Sequence, residues 1–215
     1  MQRPLPLLFL DLETTGHEPL RMVNGVLVPW HEIIEIGAVL ADQRLNVLAE
    51  LSVKVRPVHP ERCVPNIVNH YPERAARGEW NNAFPLTDGV RDVLGTIAWN
   101  TPNQQVVPTG QNPAFDWSFL LVAFALCGIT EDVWAQYLHY AKLDTRTMAV
   151  QQLWEPGTTY DPAAYSLRNE TLARTLGITM ESYPHEAING ARQAYTVFKK
   201  LRELRGTAGG PHGGR

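Results

Sequence analysis

The apolar positions fall into two kinds of pattern, short unbroken runs and helical stripes. Leu5 to Leu10 is an apolar run bounded by proline, the mark of a buried strand. Ile33 to Leu40 is a second run, rich in Ile and Val, and Leu45 to Val55 a third, reached through a turn at Asp42-Gln43-Arg44. Gly16 to Trp30 reads as loop, with Asn24-Gly25 suited to a hairpin turn. Three early strands in succession predict an antiparallel meander.

The rest of the chain turns mainly helical. Val64 to Trp80 is mixed and predicts short helix and loop. Leu86 to Trp99 carries Val90, Val93, Leu94 and Ile97 on one stripe, and Pro113 to Leu126 repeats the pattern, with proline suited to a first turn. Short strands are predicted at Gln105–Pro108 and His139–Leu143. Further helices are predicted at Thr145–Trp154, at Ser166–Leu176 with Ser166 as cap and Gly177 as stop, and at Pro184–Leu204. The expected fold class is therefore α/β, one mixed sheet flanked by helices. The expected domain is residues 1–205, followed by a disordered Gly-rich tail at 206–215.

Composition constrains function only mildly. The 215 residues suit one domain, with 44% hydrophobic and 19% charged residues. Nineteen basic against 22 acidic residues leave a net charge of −3, which disfavours coating nucleic acid by bulk charge. It does not disfavour an enzyme that grips nucleotides through metal ions. Cys63 and Cys127 form no C-x-x-C pair; they read as reduced, buried thiols, with a single disulfide as the alternative. The apolar start is too short for a signal peptide and runs directly into Asp11 and Glu13. With no stretch apolar enough for a membrane, the expected location is cytoplasmic.

Three short segments carry candidate chemistry. In Phe9-Leu-Asp11-Leu-Glu13-Thr14-Thr15-Gly16, Asp11 and Glu13 are two apart on a strand and project to the same side. Adjacent carboxylates repel unless a cation lies between them, and hard divalent ions with oxygen ligands meet that need. The bland alternative is a solvated strand end. In Asn112-Pro-Ala-Phe115-Asp116-Trp117, an acid sits among apolar residues at a helix start, where it is either a dipole-stabilised first-turn acid or a third ligand. In Tyr183-Pro184-His185-Glu186-Ala187-Ile188-Asn189-Gly190-Ala191-Arg192, a histidine precedes a helix. Trp117, beside Asp116, is the tryptophan expected nearest the site; core packing is expected for most of the others.

The order Asp-x-Glu-Thr-Thr-Gly, then Asn-x-x-Phe-Asp, then His-x-Ala resembles the DnaQ-like, DEDDh 3′–5′ exonucleases over roughly Leu5 to Leu204. Ile33-Ile-Glu35-Ile-Gly37-Ala38, Leu143-Asp144-Thr145 and Ser166-Leu167-Arg168-Asn169 are similar to its intermediate landmarks. Leu138 to Asp144 is similar to the oligoribonuclease branch but is too short to choose it. The resemblance implies a ribonuclease H-like fold, antiparallel in strands 1–3 and then parallel. It also implies hydrolysis of single-stranded DNA or RNA from 3′ ends with release of nucleoside monophosphates. Asp11, Glu13 and Asp116 would hold two Mg²⁺ or Mn²⁺ ions, and His185 would be the general base. Leu12, Thr14, Thr15, Asn112 and Phe115 would bind the terminal nucleotide, with Thr15 holding the 3′ end. A homodimer or a polymerase partner is left undetermined.

One position departs from the family pattern. A fourth carboxylate is expected five residues after His185, and Gly190 stands there. One metal site is therefore expected to be weakened. Asn189 or Glu186 could compensate, or the domain could bind nucleic acid with weakened or lost turnover. A phosphoesterase for a small substrate, built on the same site, is a third reading.

Overall fold

The structure, a computed structural model, describes residues 4–153 and 169–208. Strand β1 (Leu7–Thr14) is central in a five-stranded sheet with β4 (Ile33–Ala41), β5 (Val47–Lys54), β6 (Val107–Gly110) and β7 (Leu143–Asp144). The order is β5-β4-β1-β6-β7. Strands β1, β4 and β5 pair antiparallel, whereas β6 lies parallel to β1 and β7 parallel to β6. The expected mixed sheet is thus present, with its meander interrupted by a separate hairpin of β2 (Leu20–Val23) and β3 (Val26–Pro29). Asn24 and Gly25 turn that hairpin with positive φ at both positions, the geometry an Asn-Gly pair accommodates.

Alternation along the strands sorts side chains into two cores. Leu8, Leu10 and Leu12 of β1 and Ile36, Ala38 and Leu40 of β4 face helices α2 (Leu86–Asn100) and α3 (Pro113–Leu126), meeting Val90, Ile97, Phe119 and Phe124. Leu7, Phe9, Val39 and Ala41 face the other way, onto Ala191, Ala194 and Phe198 of the last helix, α7 (Ala187–Ala208). Shorter α-helices among the described residues are α1 (Tyr71–Ala76), α4 (Glu131–Trp134), α5 (Thr145–Leu153) and α6 (Asn169–Leu176). Helices α5 and α6 pack against α7 through Ala149, Leu172, Val197 and Leu201.

Several boundaries differ from the sequence reading. Strand β1 continues to Thr14 instead of stopping at Leu10, because β4 pairs with it through Glu13↔Glu35 and Thr14↔Ile33. Asp11 and Glu13 are therefore inside the strand. The strand expected at 139–143 is reduced to Leu143–Asp144, and that at 105–108 lies at Val107–Gly110. Helix α7 starts at Ala187, not Pro184, and runs to Ala208, so residues 206–208 belong to the helix rather than to a tail. Trp154, Ser166 and residues 209–215 fall outside the described residues. Both cysteines are free and half-buried. No helix among the described residues is long and apolar enough to cross a membrane.

Candidate active site

Asp11 and Glu13 lie on the face of β1 that α7 covers, one and two residue pairs beyond the buried Phe9. Two features bring the start of α7 onto that face. Gly37 of β4 presents no side chain, and a Cβ there would stand 2.0 Å from the carbonyl carbon of Ala187. Glu35, on the same face of β4, accepts the Ala187 N–H at 3.2 Å and so satisfies an orphan donor of the first helical turn. His185 and Gly190 flank this anchor.

Asp116 reaches the site from the first turn of α3. Its Oδ1 accepts the Leu12 N–H at 2.9 Å, a donor left over where the pairing of β1 with β6 stops at Phe9↔Thr109. The Leu12 side chain itself points into the core. Asp11, Glu13, Asp116 and His185 thereby share a cleft of about 210 Å³, which Leu12, Thr14, Asn112 and Phe115 also line. A larger groove of about 890 Å³ includes Trp30, Val58 and Leu126 but none of these acids.

Two expected contacts are not brought to the cleft. Thr15 is fully buried, its Oγ1 accepting the Glu32 N–H at 2.9 Å and its carbonyl accepting the Val64 N–H at 2.8 Å. Its side chain secures the loop after β1 rather than facing the pocket. Trp117 packs edge-on against Trp134, with Lys142 over its ring at 4.1 Å, because it sits one residue round α3 from Asp116. Glu186 and Asn189 are also spoken for: Glu186 meets Arg74 at 3.3 Å, and Asn189 Nδ2 donates to Glu186 at 3.2 Å. Neither lines the cleft.

Sequence reasoning missed three residues that matter here. Asn69 is buried and its Nδ2 donates to Glu13 Oε2 at 2.8 Å and to the Thr14 carbonyl at 2.9 Å. Arg74 is buried against Glu35 at 3.0 Å and Glu79 at 2.8 Å, and donates to the His185 carbonyl at 3.2 Å. Glu181 lines the cleft beside His185, 3.7 Å from its Nδ1. The mixed pattern at 64–80 gave no period to flag Asn69 or Arg74. Glu181 lies before the histidine, where no helix or strand was expected.

The acids crowd one another. Burial pushes the Asp11 carboxyl well above the usual range, and the charges of Asp116, Glu13 and Glu181 add to it. Burial raises Glu13 to about 8, against the pull of its Asn69 hydrogen bond. Burial raises Asp116 to about 7, opposed by the Leu12 N–H, and Glu181 to about 7, opposed by the Glu186 backbone N–H. The buried guanidinium that acts on Glu13, Arg74, is already matched by Glu35, Glu79 and Glu186. Oxygen donors packed this closely without a matching cation fit hard divalent ions.

A central strand carrying paired acids, a third acid from a flanking helix and a histidine just before the last helix define a class: a ribonuclease H-like domain with a carboxylate–histidine cleft. No protein-family model matches the chain. It is 30% identical over 182 residues to an oligoribonuclease of Ectopseudomonas mendocina (strain ymp), covering 73% of this chain and 81% of the relative. Escherichia coli exonuclease I in complex with an oligonucleotide has the same fold at TM-score 0.68 and 16% identity, covering 95% of this chain and 42% of that one. So does the nuclease domain of 3′hExo, a DEDDh family member bound to rAMP, at TM-score 0.65 and 14% identity, covering 94% and 92%. The Mg²⁺- and Mn²⁺-bound form of S. pombe Pop2p follows at TM-score 0.62 and 14% identity, covering 93% and 83%. The chain belongs to the DnaQ-like DEDDh 3′–5′ exonuclease family.

Proposed function

We propose that this protein is a divalent-metal-dependent 3′–5′ exonuclease that removes nucleoside monophosphates from single-stranded RNA or DNA ends. The observation that carries the reading is the convergence of Asp11, Glu13 and Asp116 with His185 in one cleft whose lining, among the described residues, includes no Lys or Arg. Likeness to an oligoribonuclease supports short RNA as a substrate, and likeness to exonuclease I supports DNA as well.

Asp11, Glu13 and Asp116 would hold two Mg²⁺ or Mn²⁺ ions, as the sequence resemblance implied. When bound, such ions neutralise charge on the phosphodiester and lower the pKa of water. His185 Nδ1 faces the Glu181 carboxylate, which favours the tautomer with the proton on Nδ1 and leaves Nε2 to take the proton of the attacking water. Arg74 holds the His185 carbonyl and so fixes the backbone from which the base projects. Phe115 offers an apolar wall for the terminal base, and Asn112 and Thr14 offer polar groups beside it. The cytoplasmic location expected from the sequence is kept as part of this proposal.

A time course on 5′-labelled single-stranded RNA and DNA oligonucleotides with Mn²⁺ tests the reading. A ladder shortening from the 3′ end, lost in Asp11→Ala, is the expected result. Retained binding without any ladder would instead favour the binding-only alternative, and cleavage limited to mononucleotide-sized esters would favour the small-substrate phosphoesterase.

A further inference from the structure

Gly190 has no side chain to offer, and the space a Cβ would take is filled: it would lie 2.5 Å from Asp11 Cγ and Oδ2. The Asp11 carboxylate therefore rests directly on the backbone of α7. A fourth acid nevertheless enters the cleft from elsewhere. Glu181, in the segment between α6 and α7, has only 5% of its side-chain surface exposed. Its ligating atom lies within 4.8 Å of those of Glu13 and His185.

The two oxygens of Glu181 differ. Oε2 faces His185 Nδ1 at 3.7 Å, whereas Oε1 is buried without a hydrogen-bond partner among the described residues. A buried carboxylate oxygen left unsatisfied is costly, and more so beside Glu13, which repels it. The placement is also braced. The Glu181 N–H donates at 3.1 Å to Oε1 of Gln193, itself buried on α7. This brace ties the residue to the same helix that carries Gly190. A buried acid braced onto α7, with one oxygen lacking a partner and its carboxylate within 4.8 Å of the ligand atoms of Glu13 and His185, has the chemistry of an unfilled ligand.

We infer that Glu181 is a metal-ligating residue of this cleft, supplying through Oε1 the carboxylate that position 190 does not. The inference rests on the metal-dependent reading above. It restores four acids to the cleft, Asp11, Glu13, Asp116 and Glu181, with the fourth brought in from four residues before His185 rather than five after it. Two-metal occupancy then needs no side chain at 190.

The test is Mn²⁺ titration of the full chain, followed by calorimetry or by the free-ion paramagnetic signal, in wild type, Glu181→Gln, Glu186→Gln and Asp11→Ala. Glu181→Gln is close in shape, and the circular dichroism and melting temperature of the metal-free protein verify its fold. The expected result is Mn²⁺ binding weakened by about 10-fold or more in Glu181→Gln, on the scale of losses seen for altered metal-site residues, with Glu186→Gln unchanged. Glu181→Asp, which keeps the charge one methylene further back, should fall between. Wild-type Mn²⁺ affinity in Glu181→Gln, with binding lost in Asp11→Ala, would overturn the inference and leave the exonuclease reading standing. A displaced pH–rate profile with unchanged Mn²⁺ affinity would also overturn it, assigning Glu181 to orientation of His185 alone. Unchanged Mn²⁺ binding in both Glu181→Gln and Asp11→Ala would sink the metal reading along with it.

Discussion

Gly190→Ala adds one methyl group where the structure has no room for it. An ideal Cβ would stand 2.5 Å from Asp11 Cγ and Oδ2 and 2.9 Å from Oδ1, whereas ordinary contact begins at 3.4 Å. The carboxylate must retreat by about 1 Å, and misplacement of that size commonly costs about 100-fold in rate. Helix propensity acts the opposite way, since alanine is favoured over glycine by about 1 kcal/mol in a helix interior. Activity and stability should therefore separate. Turnover of a labelled oligonucleotide at saturating Mn²⁺ is expected to fall about 100-fold, while the melting temperature moves by only a few degrees, at about 2–4 °C per kcal/mol for a chain of this size. A steady-state rate series and a thermal melt on the same preparation read both. Turnover within threefold of wild type would refute the reasoning, by showing that the Asp11 carboxylate need not rest on the backbone of α7. The same collision means that Gly190→Asp would place a family-like acid only by moving Asp11.

Two further outcomes follow from the cleft's electrostatics. Glu13 ordinarily titrates near 4.5 and is raised to about 8 in the folded protein, so the folded state holds this proton more tightly than the unfolded chain. The stability it contributes is complete below about pH 4.5 and is lost as pH rises through 8, with Asp116, raised to about 7, acting in the same direction. Melts in chelator should show the metal-free protein losing stability from pH 5 to pH 8, and Mn²⁺ at 100 times its Kd should return about 2.7 kcal/mol at the upper end; a flat profile, or no Mn²⁺ effect, would contradict it. Asn69→Ala removes the amide that lowers the pKa of Glu13 and orients its carboxylate. The Mn²⁺ concentration giving half-maximal activity should rise about 10-fold, as for other partners that orient a metal-binding carboxylate, and an unchanged Mn²⁺ dependence would count against that role.

Much of the molecule could be read along the chain. Short apolar runs and helical stripes located β1, β4, β5, α2 and α3, since an element packed into or against a core declares itself through its own local sequence. The Asn24-Gly25 turn was legible because its backbone conformation depends on two residues alone. Asp11 and Glu13 were legible because their spacing puts like charges together on one strand face, which calls for a cation, whereas Asp116 and His185 were legible through the resemblance to the exonuclease family. Tertiary structure decided what depends on contacts across the chain. Strand β1 runs on through its acids because β4 pairs with it, a fact of register rather than of local propensity. Asn69 reaches the cleft and Arg74 of α1 reaches the His185 carbonyl beside it, while Thr15 and Trp117 turn away from it, as partners distant in sequence dictate. Gly190 read as an absent ligand in the sequence, yet in the fold it is the bare stretch of helix on which Asp11 lies. Glu181 could not be singled out without the fold, because only packing shows which surface glutamate of a loop has been drawn inside and left with an unsatisfied oxygen.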